Sequence, residues 1–532
     1  MQIGRLLAPQ AGRQFSLEQT LTRVVRLHGD SIATVDRGHR QTWSAYGERV
    51  MRLAGALQAL GLADGERVAI LSNNSHRYLE IYHAVPWAGG IFAPLNFRLA
   101  APEQAAILAD CGARILIADD DHLERAGQLL RDASGLQRIH AGDGPAPAGW
   151  LSYEHLIDQA EPAQDACRAG DDVAALFYTS GSTGRPKGVM HTHANLVASA
   201  IAYAAAIGLD EGTVALVSSP MFHVGAAGLA VPAMVSGGRV VVLPRFEPAQ
   251  VLRLIEQERA TVTSVVPTML RMLVDHPNAA SHDLSSLRTL LYGAAPMPEA
   301  LVSQAREHFT RTEFTHCYGM TESTASVSVL PSRYVMPSHR HLDKWRSAGR
   351  AILGTDLAIV DAQDQVLPPG EVGEIVVRGP LVMAGYWNQP ELTAQTLRHG
   401  WLHTGDLGSM DADGFVTIVD RLKDMIITGG ENVYSAEVEA AVYSHPGVAQ
   451  CAVIGIPDPR WGEAVHAIVS ASPGASLSAA SIIAHCRGRI AAYKCPRSVD
   501  VREAALPLSG ANKIDKPTLR APFWAGHASR LV

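Results

Sequence analysis

The segment from Phe177 to His193, FYTSGSTGRPKGVMHTH, contains residues that could bind a phosphate group. Four hydroxyl residues (Thr179, Ser180, Ser182 and Thr183) and three glycines (Gly181, Gly184 and Gly188) lie close to a single lysine, Lys187. Small residues let backbone N–H groups converge on an anion, and hydroxyl and ammonium groups add donors. The spacing does not fit G-x-x-x-x-G-K-[ST], in which the lysine reaches the β- and γ-phosphates of a nucleoside triphosphate. We therefore predict an anion-binding loop whose chemistry is not γ-phosphoryl transfer; a glycine-rich turn without a ligand is the competing interpretation.

The elements that would position this loop are short apolar runs alternating with helical patterns, which predict βαβ units and a mostly parallel sheet. Several of these runs read as buried strands that continue into polar or small residues: AALFYTSG, RVVVLPRF, TSVVPTML, RTLLYGAAP and TEFTHCYG. Ligands of open α/β sheets bind outside the carboxyl ends of the strands. These loops are therefore expected to line one ligand site.

Length and composition limit the classes of function. A chain of 532 residues is too long for one hydrophobic core, so two or more domains are expected. The net charge of −7 argues against nucleic acid as the main partner. Six scattered cysteines without a C-x-x-C pair indicate reduced thiols in a cytoplasmic protein. No run of about 18 apolar residues and no signal-like N-terminus occurs, so no integral membrane segment is expected.

Five further motifs follow the loop, in the order YGAAP, YGMTES, WLHTGD, DRLKDMIITGGENVYSAEVE and PLSGANKIDK. Together the six resemble the signatures of the adenylate-forming superfamily, which includes acyl-CoA synthetases, adenylation domains of peptide synthetases and luciferases. The resemblance covers nearly the whole chain and favours the acyl-CoA synthetase branch.

The resemblance implies an α/β fold class. A large N-terminal domain of mostly parallel α/β sheets with a small β-barrel-like part would span residues 1–420 and carry the ATP and acyl sites. Residues 421–423 would be a hinge. A small mobile α+β domain, residues 424–532, would carry the catalytic lysine. From Asp356 the sequence alternates and turns like an antiparallel hairpin, and after GFVTIVDRLKD a compact stretch of strands and helices begins at Met425. This change favours a boundary near Asp420–Lys423.

The resemblance implies that ATP, Mg²⁺ and coenzyme A take part. The implied ATP- and AMP-binding residues are Thr179, Ser180, Gly181, Ser182, Thr183, Gly184, Lys187, Gly293, Ala294, Ala295, Pro296, Tyr318, Gly319, Met320, Thr321, Asp406 and Arg421. Tyr318 would stack on adenine, and Asp406 would accept hydrogen bonds from the ribose. Glu322 would be a carboxylate close to the triphosphate, which requires an intervening cation; Mg²⁺, held by Glu322 with support from Thr179, meets that need.

Lys513 is the residue expected to carry the first reaction. Carboxylate and ATP are both anionic, and a flexible cation reaching both can stabilise charge that develops at the α-phosphate. Relatives usually have a glycine directly before this lysine, whereas Asn512 precedes it here. Lys516 is the less favoured alternative.

Relatives change conformation between two half-reactions by turning the small domain about a hinge residue, which corresponds to Lys423 here. Acyl-AMP and pyrophosphate would form first, and a thiol would then displace AMP. The turn would bring Gly429, Gly430 and Glu431 to the site, where the glycines leave a passage for the pantetheine arm. A strand-to-helix turn is the alternative interpretation of the two glycines.

The segment PMFHVGAAGLA resembles the lining of the acyl pocket. The implied pocket residues are His223, Val224, Gly225, Gly228 and Cys317, and His223 also has an implied catalytic role. No acidic residue occurs between Pro220 and Arg245, which argues against an α-amino acid substrate. The small residues predict a roomy apolar cavity, so medium- to long-chain fatty acids are favoured, followed closely by aryl or other bulky acids.

Coenzyme A is favoured as acceptor over a carrier protein, and Arg460, Lys494 and Arg497 are candidates for binding its nucleotide. A solvated surface charge is the favoured interpretation of each of the three. The expected partners are thus a small carboxylic acid and coenzyme A, and a homodimer stays open. The alternatives are an aryl-CoA ligase of the hydroxycinnamate or benzoate type, an adenylating enzyme that loads a carrier protein, a luciferase-like oxygenase, and a nucleotide-binding pseudo-enzyme without turnover.

Overall fold

The structure is a computed structural model that describes residues 15–129, 135–179, 186–294, 297, 299–335, 344–472, 474–509 and 513–525. The chain forms two compact units. The first comprises residues 1–357 and 377–402, and the second comprises residues 358–376 and 403–532. Residues 420–423 lie within the second unit, and the hinge expected there stays a prediction.

The strands follow in chain order. They are β1 Ile32–Asp36, β2 His39–Thr42, β3 Arg67–Leu71, β4 Ile91–Pro94, β5 Ala113–Ala118, β6 Gln137–His140, β7 Leu151–Ser152, β8 Val173–Thr179, β9 Lys187–Thr192, β10 Val214–Val217, β11 Arg239–Val242, β12 Val262–Val265, β13 Thr289–Gly293, β14 Glu313–Tyr318, β15 Ser328–Leu330, β16 Arg350–Ala351, β17 Asp356–Val360, β18 Gly373–Arg378, β19 Gly385–Tyr386, β20 Leu397–Arg398, β21 Trp401–Met410, β22 Val416–Arg421, β23 Ile426–Thr428, β24 Glu431–Val433, β25 Val448–Asp458, β26 Gly462–Ala471 and β27 Ser498–Arg502.

The α-helices are numbered in the same way. They are α1 Leu17–His28, α2 Trp43–Ala59, α3 His76–Trp87, α4 Ala101–Cys111, α5 Leu123–Leu129, α6 Tyr153–Gln159, α7 His193–Ile207, α8 Val224–Val235, α9 Pro248–Glu258, α10 Pro267–Val274, α11 Glu299–His308, α12 Ser332–Val335, α13 Pro390–Thr396, α14 Ser435–Tyr443, α15 Ala479–Arg487 and α16 Lys516–Trp524. No helix among the described residues is both long and apolar enough to cross a bilayer.

Two large sheets build the first unit. One has the order β16-β15-β14-β13-β12-β10-β11-β1-β2, and its inner strands from β14 to β1 are parallel. The other has the order β19-β9-β8-β4-β3-β5-β6-β7, with parallel pairing from β8 to β7 and antiparallel pairing at β9 and β19. Because the inner strands are parallel, several of their carboxyl ends open at the same edge, as the sequence predicted.

Large apolar side chains fill the space around these sheets. Trp43, Tyr46, Tyr78, Phe92 and Phe177 are almost completely buried and belong to one continuous core. The helices that cover the sheets bury apolar faces against this core. Burial of this much apolar surface is the main stabilising contribution to such a unit.

A buried ionic network lies within the same unit. The Glu80 carboxylate is fully buried and accepts hydrogen bonds from Arg49 Nε at 2.7 Å, Tyr153 Oη at 2.7 Å and Gln41 Nε2 at 2.6 Å. Three donors compensate for the loss of hydration of this carboxylate. The network joins β2, α2, α3 and α6.

Helix α7 directly follows the loop and strand singled out in the sequence, and its start is well defined. Thr192 Oγ1 accepts a hydrogen bond from Asn195 N at 3.1 Å, and Asn195 Oδ1 accepts one from Thr192 N at 3.0 Å. This reciprocal cap satisfies two backbone donors at the helix start. Asn195 Nδ2 also donates to the carbonyls of Pro380 and Val382, which ties the helix to a distant segment of the unit.

The second unit has an α+β fold. Its sheet has the order β24-β23-β26-β25, with β27 parallel to β26. Helices α14 and α16 pack against β25, and the core between helices and sheet contains Val438, Val442 and Ile482. Another five-stranded sheet has the order β17-β18-β21-β20 with β22 beside β21, and its strands lie within residues 356–421. The mixed α/β fold class with a smaller α+β part is thus confirmed.

Gly349 provides a stability test of the sheet edge next to Tyr318. Its φ is +88°, and a Cβ there would lie 2.0 Å from the Val329 carbonyl oxygen in β15. We expect Gly349→Ala to lower the free energy of unfolding by at least about 2 kcal/mol, because both the backbone angle and the β15–β16 contact must change.

Gly38→Ala is the matched control in a urea-unfolding experiment. Gly38 has a similar φ of +85° but no atom within 4 Å of the added Cβ, so only the backbone cost of about 1 kcal/mol applies. Equal losses for the two variants would contradict the steric argument.

Candidate active site

The start and end of the glycine-rich loop come together on two paired strands. Thr179 is the last residue of β8, Lys187 is the first residue of β9, and the two are paired in the antiparallel register. Both are partly buried. The predicted phosphate-binding residues Ser180, Gly181, Ser182, Thr183 and Gly184 lie outside the described residues.

The YGAAP and YGMTES motifs end neighbouring parallel strands. Gly293 at the end of β13 is paired with Cys317 of β14, and Tyr318 is the next residue. A Cβ on Gly293 would lie 2.2 Å from the Cys317 carbonyl oxygen, so the two strand ends require a glycine there to approach this closely. Ala294 has a positive φ of 65°. Ala295 and Pro296 lie outside the described residues.

Glu322 lies in a short 3₁₀ turn, Thr321–Ser323, after Tyr318, Gly319 and Met320. The Thr321 carbonyl accepts a hydrogen bond from His191 Nε2 at 2.8 Å, and the Glu322 carbonyl accepts one from Met383 N at 2.9 Å. Burial lowers the pKa of His191 to about 4, so its ring is neutral and Nε2 carries the proton. The turn is therefore held on both sides by hydrogen bonds.

The Glu322 carboxylate is oriented by a tyrosine. Tyr386 Oη donates to Glu322 Oε1 at 2.8 Å, and Glu322 is 7% exposed. Burial, together with the Glu322 charge, raises the pKa of Tyr386, so its hydroxyl stays protonated and serves as the donor.

This arrangement fits Mg²⁺ shared with a phosphate group. Mg²⁺ prefers oxygen ligands and is usually held by one or two carboxylates together with phosphate oxygens and waters. In the part of the chain that the structure describes, no group of three or more His, Cys, Asp and Glu side chains could hold a metal ion. One oriented carboxylate at Glu322 matches a metal that takes most of its ligands from the nucleotide.

The predicted acyl-pocket residues lie on α8 and β14 of the same unit. His223 is the N-cap residue of α8, and its ring centroid is 4.4 Å from that of Phe222. Val224 is buried, and a Cβ on Gly225 would meet no atom within 4 Å. At Gly228, by contrast, an added Cβ would lie 2.7 Å from the Ala325 Cβ. The two glycines therefore differ, since only Gly225 borders open space.

Cys317 forms a polar contact beside this segment. Its Sγ lies 3.0 Å from Tyr203 Oη of α7. Burial raises the pKa of Cys317 to about 12, so the thiol is neutral. The sequence analysis did not anticipate this contact, because Tyr203 belongs to no motif.

Asp406, Arg421 and Lys513 all lie in the second unit, and the charges of Arg421 and Asp406 act on Lys513. Asp406 of β21 is paired with Arg421 of β22, and Arg421 Nε lies 3.4 Å from Asp406 Oδ1. Burial and the positive charge of Arg421 lower the pKa of Lys513 to about 8; Lys423 contributes in the same direction, and Asp406 partly opposes them. A cation with a lowered pKa beside a carboxylate and a guanidinium is typical of a functional site.

Lys516, the alternative candidate, has a different environment. Its Nζ lies 2.8 Å from Glu439 Oε1 and donates to Ser435 Oγ at 2.8 Å. Burial lowers its pKa, but Glu439, Asp424 and Asp420 outweigh burial, so the pKa lies above its usual value. A lysine enclosed by carboxylates is an internal ion-pair partner, which favours Lys513 as the reacting cation.

Gly429 and Gly430 form the two-residue turn between β23 and β24, which runs into Glu431. Both have positive φ, 62° and 84°, as a tight hairpin turn requires. The glycines thus end a hairpin and do not form the strand-to-helix turn of the alternative interpretation. A Cβ on Gly429 would lie 2.7 Å from the ring of Trp461.

Trp461 is flanked by two arginines. The Arg460 guanidinium carbon lies 4.7 Å from the Trp461 ring centroid, and that of Arg497 lies 5.0 Å away. Lys494, by contrast, forms an ion pair with Glu437 at 2.8 Å. A tryptophan between two cations next to a glycine turn provides aromatic surface and positive charge together, which are the features that a nucleotide phosphate and base require.

Comparison with known proteins identifies the family. The family described as AMP-binding enzyme matches residues 21–387, and the AMP-binding enzyme C-terminal domain matches residues 437–513. The feruloyl-CoA synthase of Amycolatopsis sp is 43% identical over 503 residues, which cover 94% of this chain and 98% of that protein. The medium/long-chain-fatty-acid–CoA ligase FadD8 of Mycobacterium tuberculosis (strain ATCC 25618 / H37Rv) is 39% identical over 513 residues, covering 93% of this chain and 87% of that protein.

A solved structure shares both fold and sequence. The o-succinylbenzoate CoA synthetase of Bacillus subtilis, in complex with its acyl-adenylate intermediate, superposes with a TM-score of 0.83 and 30% identity and covers 95% of this chain and 98% of its own. Because the family matches most of the chain and relatives align over nearly all of it, the chain belongs to the AMP-binding, adenylate-forming enzymes, in their acyl-CoA synthetase branch.

Proposed function

We propose that this AMP-forming acyl-CoA synthetase activates a hydrophobic carboxylic acid, of the aryl or medium- to long-chain fatty type. ATP and the acid would give acyl-AMP and pyrophosphate, and coenzyme A would then displace AMP to give the thioester. The observation that carries the proposal is the convergence of Lys513, Asp406 and Arg421, because it joins a cation of lowered pKa to a carboxylate suited to a ribose.

In the first half-reaction the acid's carboxylate attacks the α-phosphorus, and pyrophosphate leaves. Both reactants are anionic, so their approach costs electrostatic energy that a nearby cation offsets. Lys513 in its protonated form would contact the substrate carboxylate and an α-phosphate oxygen. Arg421 keeps a permanent charge beside it and interacts with Asp406, which would accept the ribose hydroxyls.

The remaining ATP contacts would come from the first unit. The loop between Thr179 and Lys187 would hold the β- and γ-phosphates, and its hydroxyls would act as donors. Tyr318 and Gly293 would contact the adenine from the neighbouring strand ends. Glu322 would hold Mg²⁺, assisted by Thr179; when bound, the cation neutralises phosphate charge and orients the triphosphate.

The second half-reaction would use the hairpin at Gly429 and Gly430. Two residues without side chains leave room for the pantetheine arm, and Glu431 lies at the end of the turn. Arg460 and Arg497 around Trp461 support a site for the coenzyme A nucleotide nearby, while the ion pair of Lys494 with Glu437 favours a structural role for that lysine. Lys423 is the proposed hinge residue.

Two observations bear on the acid. The predicted pocket segment contains no charged side chain that would pair with an amino group or a second carboxylate. The relative with 43% identity bears the name feruloyl-CoA synthase. These features favour aryl acids of the hydroxycinnamate type as a second candidate beside fatty acids. We also place the reaction in the cytoplasm, since none of the six cysteines forms a disulfide.

A panel of acids, scored by pyrophosphate release and by mass spectrometry of the thioester, tests the proposal. We expect aliphatic or aryl acids to give both pyrophosphate and acyl-CoA, whereas α-amino acids and dicarboxylates give neither, because the pocket offers them no ionic partner. Pyrophosphate without acyl-CoA would point to loading of a carrier protein. No pyrophosphate with any acid would favour the pseudo-enzyme.

Lys513→Ala should lower the rate of acyl-AMP formation by at least about 100-fold, because it removes the cation that stabilises charge at the α-phosphate. Thioester formation from supplied acyl-AMP should be nearly unchanged. Hydroxamate trapping measures the first step, and acyl-CoA detection measures the second.

Lys516→Met is the comparison variant, and it should instead lower stability by about 3 kcal/mol, because Glu439 would be left buried without its partner. Equal loss of both half-reactions in Lys513→Ala would contradict the assignment.

The pKa of Lys513 predicts a pH dependence. In the free enzyme the Lys513 ammonium should lose its proton as pH rises through about 8. Below that pH the lysine stays charged, so kcat/KM for ATP in the first half-reaction should be constant. Above it, the value should fall about tenfold per pH unit. Lys513→Arg keeps its charge throughout this range, so this decline should be absent in the residual activity of that variant. A decline that persists unchanged in Lys513→Arg would assign the titration to another group.

A further inference from the structure

The short strand β19 is attached to the exit of the glycine-rich loop. Tyr386 is paired with Val189 of β9, and Trp387 N donates to the Gly188 carbonyl at 2.7 Å. Gln389 Nε2 donates to the Pro186 carbonyl at 3.2 Å. The residues that follow the loop are thus held by the backbone and side chains of residues 386–389.

The Tyr386 side chain reaches both the loop exit and the acidic turn. Its hydroxyl donates to Glu322 Oε1 at 2.8 Å, and Lys187 Nζ lies 5.4 Å from its ring centroid. Tyr386 is 5% exposed. One buried aromatic side chain therefore contacts a carboxylate through its polar end and a lysine ammonium through its face.

The backbone around Tyr386 is itself restrained. Tyr386 N donates to Thr393 Oγ1 at 2.9 Å, and Thr393 Oγ1 donates to the Gln389 carbonyl at 2.8 Å. A Cβ on Gly385, whose φ is +144°, would lie 2.7 Å from Thr393 Cγ2. Helix α13 thus packs closely against the strand and fixes the direction in which the tyrosine ring points.

We propose that Tyr386 is a positioning residue that orients the Glu322 carboxylate toward Mg²⁺ and holds Lys187 beside the triphosphate. The inference rests on the proposed role of Glu322 as the magnesium ligand. Without the Tyr386 hydroxyl, the Glu322 carboxylate loses this hydrogen-bond donor and can rotate. Each binding of Mg²⁺ with a nucleotide must then fix the orientation of the carboxylate again. Hydrogen-bond partners of metal ligands act in this way, and their loss usually weakens metal affinity or activity about 10- to 100-fold.

The ring and the hydroxyl have separable effects. Tyr386→Phe keeps the aromatic face for Lys187 and removes the hydroxyl, with its bond to Glu322 and its weaker interaction with Thr396. Tyr386→Leu removes both. We therefore expect the first variant to affect the magnesium dependence alone, and the second to weaken nucleotide binding even without metal, because Lys187 loses its aromatic contact.

Tyr153→Phe is a matched control elsewhere in the unit. Tyr153 is also a buried tyrosine that donates to a buried glutamate, with Oη 2.7 Å from Glu80 Oε2. The same atom is removed from the same kind of pair, but Glu80 has no proposed role in catalysis. Glu80 keeps Arg49 and Gln41 as donors in this variant, which therefore measures how the loss of one buried tyrosine–glutamate hydrogen bond affects stability alone.

The experiment measures three quantities in the full-length enzyme. They are the Mg²⁺ concentration for half-maximal pyrophosphate release, the affinity for ATP by calorimetry with Mg²⁺ or with EDTA, and the urea midpoint. Tyr386→Phe should raise the required Mg²⁺ about tenfold and leave ATP binding in EDTA unchanged. Tyr386→Leu should in addition weaken ATP binding in EDTA about threefold. Tyr153→Phe should lower the urea midpoint and change neither binding quantity.

Glu322→Gln separates this inference from the function on which it rests. Suppose that Glu322→Gln shifts the magnesium dependence but Tyr386→Phe changes only stability, as Tyr153→Phe does. That result would overturn the positioning role of Tyr386 and leave Glu322 intact as the proposed metal ligand. An unchanged magnesium dependence in Glu322→Gln would overturn both. In the double variant Glu322→Gln/Tyr386→Phe, a shift in magnesium dependence clearly smaller than the sum of the two single shifts would support the inference. Both substitutions remove the same interaction, so their effects should overlap.

Discussion

Adenylation of a carboxylic acid brings two anions together, and the cation that permits this approach must itself be partly withdrawn from water. Withdrawal from water favours the neutral form of a lysine, so burial alone would abolish the charge that the reaction needs. Lys513 and Lys516, three residues apart, illustrate two outcomes. Lys513 is buried beside Arg421 and its pKa falls to about 8, whereas Lys516 is surrounded by carboxylates and its pKa rises. The charged partners, not the depth of burial, decide how each lysine can be used.

The parallel strands of the first unit solve a related problem of placement. The ends of β13 and β14 bring Gly293 and Tyr318 side by side, and the paired strands β8 and β9 bring Thr179 next to Lys187. Residues far apart in the sequence thus converge through strand register. The acidic turn with Glu322 follows directly from one of these strands, so a carboxylate enters the site without a separate scaffold.

Much of the fold and of the candidate site could be predicted from the sequence, because local backbone requirements restrict the residue types within a motif. Small residues at the strand ends, the glycine pair at 429 and 430 and the aspartate and arginine of paired strands all leave local signatures. Contacts between side chains that are far apart in the sequence leave no such local signature. Tyr386 reaches Glu322 across 64 residues and Tyr203 reaches Cys317 across 114, and neither tyrosine stands out by type or spacing. The hairpin at Gly429 was also ambiguous, since glycines serve hairpin and strand-to-helix turns equally well.

The scarcity of lysine in this chain gives the environment of Lys513 a chemical consequence. Lysines occur only at positions 187, 344, 423, 494, 513 and 516, while arginine supplies most of the positive charge. An amine becomes a nucleophile only when it loses its proton, and arginine does not do so in proteins. Lys494 and Lys516 are kept protonated by neighbouring glutamates, whereas a pKa of about 8 leaves Lys513 partly neutral near pH 7. Amine-directed reagents small enough to enter therefore meet, at Lys513, a side chain that is both functional and reactive.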